Sequence, residues 1–139
     1  TSGIAMALEA EAPAFKVRPC EPEGFDDVAR SLRAGAIQRN TALTGSICDA
    51  IITPQPGHLT FPIMQRLCGA GLVVSEQECL RAMGLAFERL RVVIEPGGAV
   101  ALAAALFHGA DLNSETVIVT ASGGNVDRAV FERALATLE

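Results

Sequence analysis

The sequence predicts an α/β fold with a mostly parallel sheet flanked by helices. Short β-branched runs at Gly71-Leu72-Val73-Val74, Val92-Val93-Ile94-Glu95 and Val117-Ile118-Val119-Thr120 alternate with stretches of helical periodicity. That is the pattern of strands joined by crossover helices. Two of these runs end in glycines and then a helix start, at Glu95-Pro96-Gly97-Gly98 and Ser122-Gly123-Gly124-Asn125. In parallel sheets ligands collect beyond such strand ends. At 139 residues, half of them hydrophobic, the chain reads as a single domain with enough apolar surface for a core.

Taken in order, residues 2–11 are rich in Ala, Leu, Met and Glu and predict a helix stopped by Pro13. That helix starts at the chain terminus with no cap before it, which points to a preceding segment. Residues 15–20 form a short strand candidate weakened by Pro19. Glu21 to Asp27 make a turn, and Asp26 or Asp27 leads a helix to Ala34, ended by Gly35. Residues 36–45 are irregular, 46–51 a short apolar turn or helix, and 53–57 a loop with two prolines. Residues 58–68 are amphipathic helix, with Pro62 in the tolerated first turn. Ser75 with Glu78 is a capping box opening a helix whose core face carries Leu80, Met83, Phe87 and Leu90.

Pro96 occupies the first helical position of an almost wholly apolar helix through His108, which must be buried on most sides. Asp111–Ser114 turns into the run at 117–120, expected as a fully buried strand. From Val126 a helical face of Val126, Val130, Ala134 and Leu138 closes the chain.

Composition excludes several functions. The formal charge is −5, the basic residues are scattered, and Trp and Tyr are absent. A nucleic-acid footprint is therefore not expected. No apolar run reaches the length of a membrane span, and no leader signal opens the chain. Cys20, Cys48, Cys68 and Cys79 form no Cys-x-x-Cys pair, and His58 and His108 lie near none of them. Buried free thiols in a reducing cytoplasm are the expectation. The chain has one lysine, Lys16; its other ten basic residues are arginines.

Four places could carry chemistry. Ser122, with Gly123 and Gly124, reads as the polar contact of a small-ligand site at a helix N-terminus; the competing reading makes Asn125 a plain N-cap. Glu95 either faces the same crevice or only complements the helix dipole. Glu21, Asp26 and Asp27 cluster in one turn; carboxylates with a loop carbonyl suit Mg²⁺ or Ca²⁺, while acidic residues at a helix start are the plainer reading. Asp49 either caps or faces the cleft.

These stretches occur in a telling order: Glu21-Pro22 with Asp26-Asp27, Ser46-Ile47-Cys48-Asp49-Ala50, Leu59-Thr60-Phe61, Ile94-Glu95-Pro96-Gly97-Gly98-Ala99-Val100-Ala101-Leu102-Ala103, and Val119-Thr120-Ala121-Ser122-Gly123-Gly124-Asn125-Val126-Asp127. The set resembles the threonine/serine dehydratase–serine racemase group of fold-type II pyridoxal-phosphate enzymes, across nearly the whole chain. The resemblance implies the C-terminal part of a tryptophan synthase β-like large domain, a single incomplete domain over 1–139 whose N-terminal part and small domain are absent. It implies that Ser122 contacts the pyridine nitrogen of pyridoxal 5'-phosphate, with Glu95, Gly123 and the backbone around Ala50 beside the cofactor. It implies a divalent-cation site of Glu21, Asp27 and the Phe25 carbonyl, as in some members. Cys20 and Gly97 depart from the family's usual residues.

The Schiff-base lysine and the glycine-rich phosphate loop of this family lie upstream of these motifs, and Lys16 matches no lysine motif. The implied activity is β-elimination of serine or threonine to a 2-oxo acid and ammonia by an intact, homodimeric, cytoplasmic enzyme acting on a free amino acid. The missing N-terminal segment would then be a partner of these residues, and the chain alone would be inactive. A racemase-type isomerase and a stand-alone binding or regulatory module are the alternatives. A nucleotide-binding domain ranks last, since neither G-x-G-x-x-G nor a P-loop occurs.

Overall fold

The computed structural model describes residues 1–112 and 114–139. The chain forms two compact units, residues 1–43 with 53–73 and residues 44–52 with 74–139. No helix among the described residues is long and apolar enough to cross a membrane.

In the first unit, α1 (Ser2–Glu11) packs on α3 (Phe61–Leu67). Ala5 of α1, and Phe61 and Met64 of α3, are buried. The α3 helix starts three residues later than its periodicity suggests, with proline in its first turn as expected. Strand β1 (Cys20–Pro22) pairs with β2 (Leu72–Val74). Gly69 N–H donates to Val17 O at 2.9 Å and Leu72 N–H to Pro19 O at 2.8 Å, and the Val17–Cys68 bridge is parallel. The first strand thus begins where the expected one ended, and takes in two residues read as turn. Helix α2 (Asp27–Ala34) ends on left-handed Gly35, φ 69°. Gly71 passes so close to Ala29 of α2 that a Cβ there would lie 2.8 Å from the Ala29 Cα.

The second unit is built on α4 (Glu76–Leu85), which packs on α5 (Pro96–Phe107) and α7 (Arg128–Ala136). The capping box forms in full: the Ser75 hydroxyl accepts from Glu78 N–H, and the Glu78 carboxylate accepts from Ser75 N–H at 2.7 Å. Leu80 and Met83 are buried as expected. The helix then widens into a π turn over Ala86–Leu90, which leaves Leu90 exposed and sets the Phe87 ring edge-on to Phe131 of α7, 5.3 Å between centroids. Gly84 lies against the Ala134 carbonyl, so α4 and α7 meet backbone to backbone. Helix α5 buries Ala99, Val100, Ala103 and Ala104 as its apolar sequence predicts, but Leu106 and Phe107 at its C-terminal end are exposed. A short helix, α6 (Gly109–Leu112), stands where part of a turn was expected; Asn113, also in that turn, lies outside the described residues.

Two expectations fail here. Residues 117–120 do not form a buried strand: Val117 is 45% and Ile118 76% exposed, and no ladder is assigned to them or to 92–95. β-branching favours extended backbone, but a strand also needs a neighbour to complete its hydrogen bonds, and these runs have none among the described residues. Nor does Asn125 cap the final helix; the N-cap is Asp127, two residues on.

Candidate functional site

The start of α5 is the meeting point of the second unit's loops. Glu95 is its extended N-cap and Pro96 its first helical residue. Glu95 N–H donates to the Gly123 carbonyl at 3.2 Å, which brings residues 122–124 across the first turn. Three glycines permit the approach. A Cβ on Gly98 would run into the Ser122 carbonyl oxygen, and one on Gly124 would lie 2.8 Å from Val93 O. Gly123 adopts left-handed φ 77° and faces the Glu95 carboxyl, which a Cβ would also strike. On another side of the same turn lies the 3₁₀ turn Asp49–Ile51; a Cβ on Gly97 would lie 3.7 Å from Ala50 and 3.3 Å from Ile51.

Ser122, Gly123, Glu95 and Ala50, drawn from three separate stretches, are therefore gathered around one helix N-terminus. Ser122 and Ala50 are exposed and Glu95 half-buried. Neither the Ser122 hydroxyl nor the Glu95 carboxylate takes part in a hydrogen bond among the described residues. The first-turn N–H groups of a helix are free donors at its positive end. The corner thus offers a side-chain-free floor, a free hydroxyl and backbone donors, a cradle suited to a flat, polar ring.

Support for the Ala50 turn comes from its own motif and from Glu76, which sequence reasoning missed. Ile47 N–H donates to Glu76 Oε1 at 2.8 Å, and Cys48 N–H to Ser46 Oγ at 3.1 Å. Glu76 shows in the sequence only as a first-turn acid of α4; its loop partner lies 29 residues away. His108 Nε2 lies 3.1 Å from Glu78 at the end of α5, and His58 Nε2 3.2 Å from Gln55; neither belongs to the corner.

The acidic turn, in the first unit, is a different kind of place. Glu21 reaches from β1 to the start of α2, its two carboxylate oxygens accepting from Val28 N–H at 2.9 Å and Ala29 N–H at 2.7 Å. Burial pushes its acid up to about 7 against the pull of those two bonds, and the charges of Asp27 and Asp26 add to the rise. Burial likewise raises Asp27, which accepts from Asn40 Nδ2 at 2.7 Å and from Thr53 Oγ1 at 3.5 Å. Asp26 instead pairs with Arg30 at 3.2 Å. Phe25 N–H donates to Pro22 O at 3.1 Å, closing the turn.

No group of three or more His, Cys, Asp or Glu arranged to hold a metal occurs among the described residues. Carboxylates with a main-chain carbonyl are the ligand types of a hard cation, but all four oxygens of Glu21 and Asp27 already accept from protein donors. Lys16 is exposed in the first unit; the second unit contains no lysine.

Comparison with known proteins identifies the family. A family model described as pyridoxal-phosphate dependent enzyme matches residues 1–123. The chain is 37% identical to the serine racemase of Dictyostelium discoideum over 139 residues, covering 96% of this chain and 42% of that protein. It is 31% identical to the L-threonine ammonia-lyase of Thermotoga maritima over 132 residues, covering 95% of this chain and 32% of that protein. Among solved structures it matches a threonine deaminase from T.th. with TM-score 0.85 and 43% identity, covering 91% of this chain and 42% of that one. The chain thus spans less than half the length of these relatives.

Proposed function

The chain belongs to the pyridoxal-phosphate-dependent enzyme family, and from that premise we propose that it is the C-terminal part of the cofactor-binding domain of an L-threonine/L-serine dehydratase. The reaction would be β-elimination to a 2-oxo acid and ammonia. The observation that carries this reading is the gathering of Ser122, Gly123, Glu95 and Ala50 at the start of α5.

Pyridoxal phosphate, when bound, supplies an electron sink for bond cleavage at the amino-acid substrate. Each residue then has a task. The Ser122 hydroxyl would hydrogen-bond the pyridine nitrogen. Gly123 would leave room for the ring, and Glu95 and the backbone at Ala50 would lie beside it. A hydroxyl cannot hold the pyridine nitrogen protonated as a carboxylate would, so the sink stays moderate. That suits elimination, where the leaving hydroxyl takes the electrons promptly, better than transamination. The covalent lysine and the phosphate loop would come from outside residues 1–139. Glu21, Asp27 and the Phe25 carbonyl would hold a divalent cation such as Mg²⁺. The intact enzyme would act as a cytoplasmic homodimer.

A serine racemase-type isomerase is the second reading, favoured by the likeness to the Dictyostelium protein. Assay of the intact protein with L-threonine and L-serine separates them. Release of 2-oxo acid, lowered by roughly tenfold or more in Ser122→Ala through loss of one hydrogen bond, is the expected result. Predominant D-serine formation would favour the isomerase. A cofactor absorbance band from residues 1–139 alone would sink the reading that the covalent lysine lies elsewhere, and would favour a stand-alone module.

A further inference from the structure

We propose that Cys48 and Cys79 form a reversible disulfide that clamps the Asp49–Ile51 turn to helix α4. Their sulfurs lie 3.9 Å apart and both residues are fully buried, although 31 positions separate them in the chain. They sit on different elements of the second unit, Cys48 just before the turn and Cys79 within α4. The Glu76–Ile47 bond already docks these two elements. A disulfide needs about 2.05 Å between sulfurs, so closure draws the two together from their 3.9 Å contact. Neither thiol has a part in the chemistry proposed for the corner, and the pair stands independently of that reading.

The oxidant class is a peroxide. The two sulfurs are interchangeable in the balance; with Cys48 reacting first, its contact with Cys79 favours its thiolate, and the same contact, with burial, raises Cys79. The Cys48 thiolate attacks one peroxide oxygen, the O–O bond breaks, and the departing hydroxide leaves as water with the proton of the thiol. Cys79 then attacks the resulting sulfenic sulfur; the S–S bond forms, the S–O bond breaks, and a second water leaves with the Cys79 proton. Two thiols are oxidised and one peroxide reduced. A small dithiol reverses the change.

The test is a titration of the native full chain with hydrogen peroxide, followed by thiol blocking and non-reducing tryptic mapping. Cleavage after Arg39, Arg66 and Arg81 places Cys48 in peptide 40–66 and Cys79 in peptide 67–81 with Cys68, so fragment sequencing assigns the partner. A Cys20→Ser/Cys68→Ser background removes the ambiguity altogether, and the wild-type map keeps the test valid should that background fold poorly. Expected are a Cys48–Cys79 cross-link, its reversal by dithiothreitol, and slower amide exchange over residues 46–52 in the oxidised form. Native protein in which Cys20 or Cys68 oxidises while Cys48 and Cys79 stay reduced at every peroxide dose overturns the proposal. So does a cross-link that appears only after denaturation.

Discussion

Glu21 and Ser122 each stand beside the backbone of a loop that leads to a helix, and their surroundings differ in one respect. In the acidic turn three carboxylates have donors: Glu21 is held by two helix amides, Asp27 by Asn40 and Thr53, Asp26 by Arg30. At the start of α5 glycines pack against carbonyls, yet neither the Ser122 hydroxyl nor the Glu95 carboxylate has a hydrogen bond among the described residues. Polar groups bonded internally are held with or without a ligand; polar groups held in place and unbonded are open to one. Mutations should therefore separate the two places by what they cost.

The largest effect is expected where the corner's packing is tightest. Gly98→Ala drives a methyl into the Ser122 carbonyl and should lower stability by about 3 kcal/mol, read by chemical denaturation. A wild-type unfolding midpoint in that variant would mean the two segments are not in contact. Next comes the acidic turn's response to pH. The Glu21 acid sits at about 7 in the fold against an ordinary 4.5, so the fold favours its protonated form. That contribution is fully present below pH 4.5 and is lost as the pH rises through 7. Unfolding free energy should accordingly gain about 2 kcal/mol from this group between pH 8 and pH 5, a slope that Glu21→Gln should flatten. Ser75→Ala, which removes a purely local cap, should cost about 1 kcal/mol. Ser122→Ala should change stability by less than about 0.5 kcal/mol while weakening cofactor binding in the intact protein, and spectral titration reads that directly. A large stability loss in Ser122→Ala would place the serine with Glu21, as a structural group.

What could be read from the chain beforehand follows from how far apart the partners lie. The Ser75–Glu78 box spans three residues and formed as written. Gly35 as a helix stop and Pro96 at the first helical position are equally local. The strand at 117–120 failed because extended propensity is local but a ladder is not. Glu21 was legible as an acid near a helix start, yet its grip on Val28 and Ala29 depends on where β1 delivers it. The Glu76–Ile47 anchor and the Cys48–Cys79 contact carry no local signature at all. The corner itself was visible through the order of several weak motifs, since no single one of Ser122, Glu95 or Ala50 points to the other two.

The glycine packing at the start of α5 also decides where this site can vary. Gly98, Gly123 and Gly124 face oxygen atoms so closely that none can acquire a side chain while its neighbours stay put. Gly97 is different: an added Cβ would lie 3.3 Å from the Ile51 side chain and 3.7 Å from the Ala50 methyl, both of them movable atoms in a short exposed turn. Mutational drift in the corner is thereby channelled onto one helix position and the turn opposite it. A library confined to residues 50, 51 and 97 would sample the plastic wall of the site and leave its rigid floor intact.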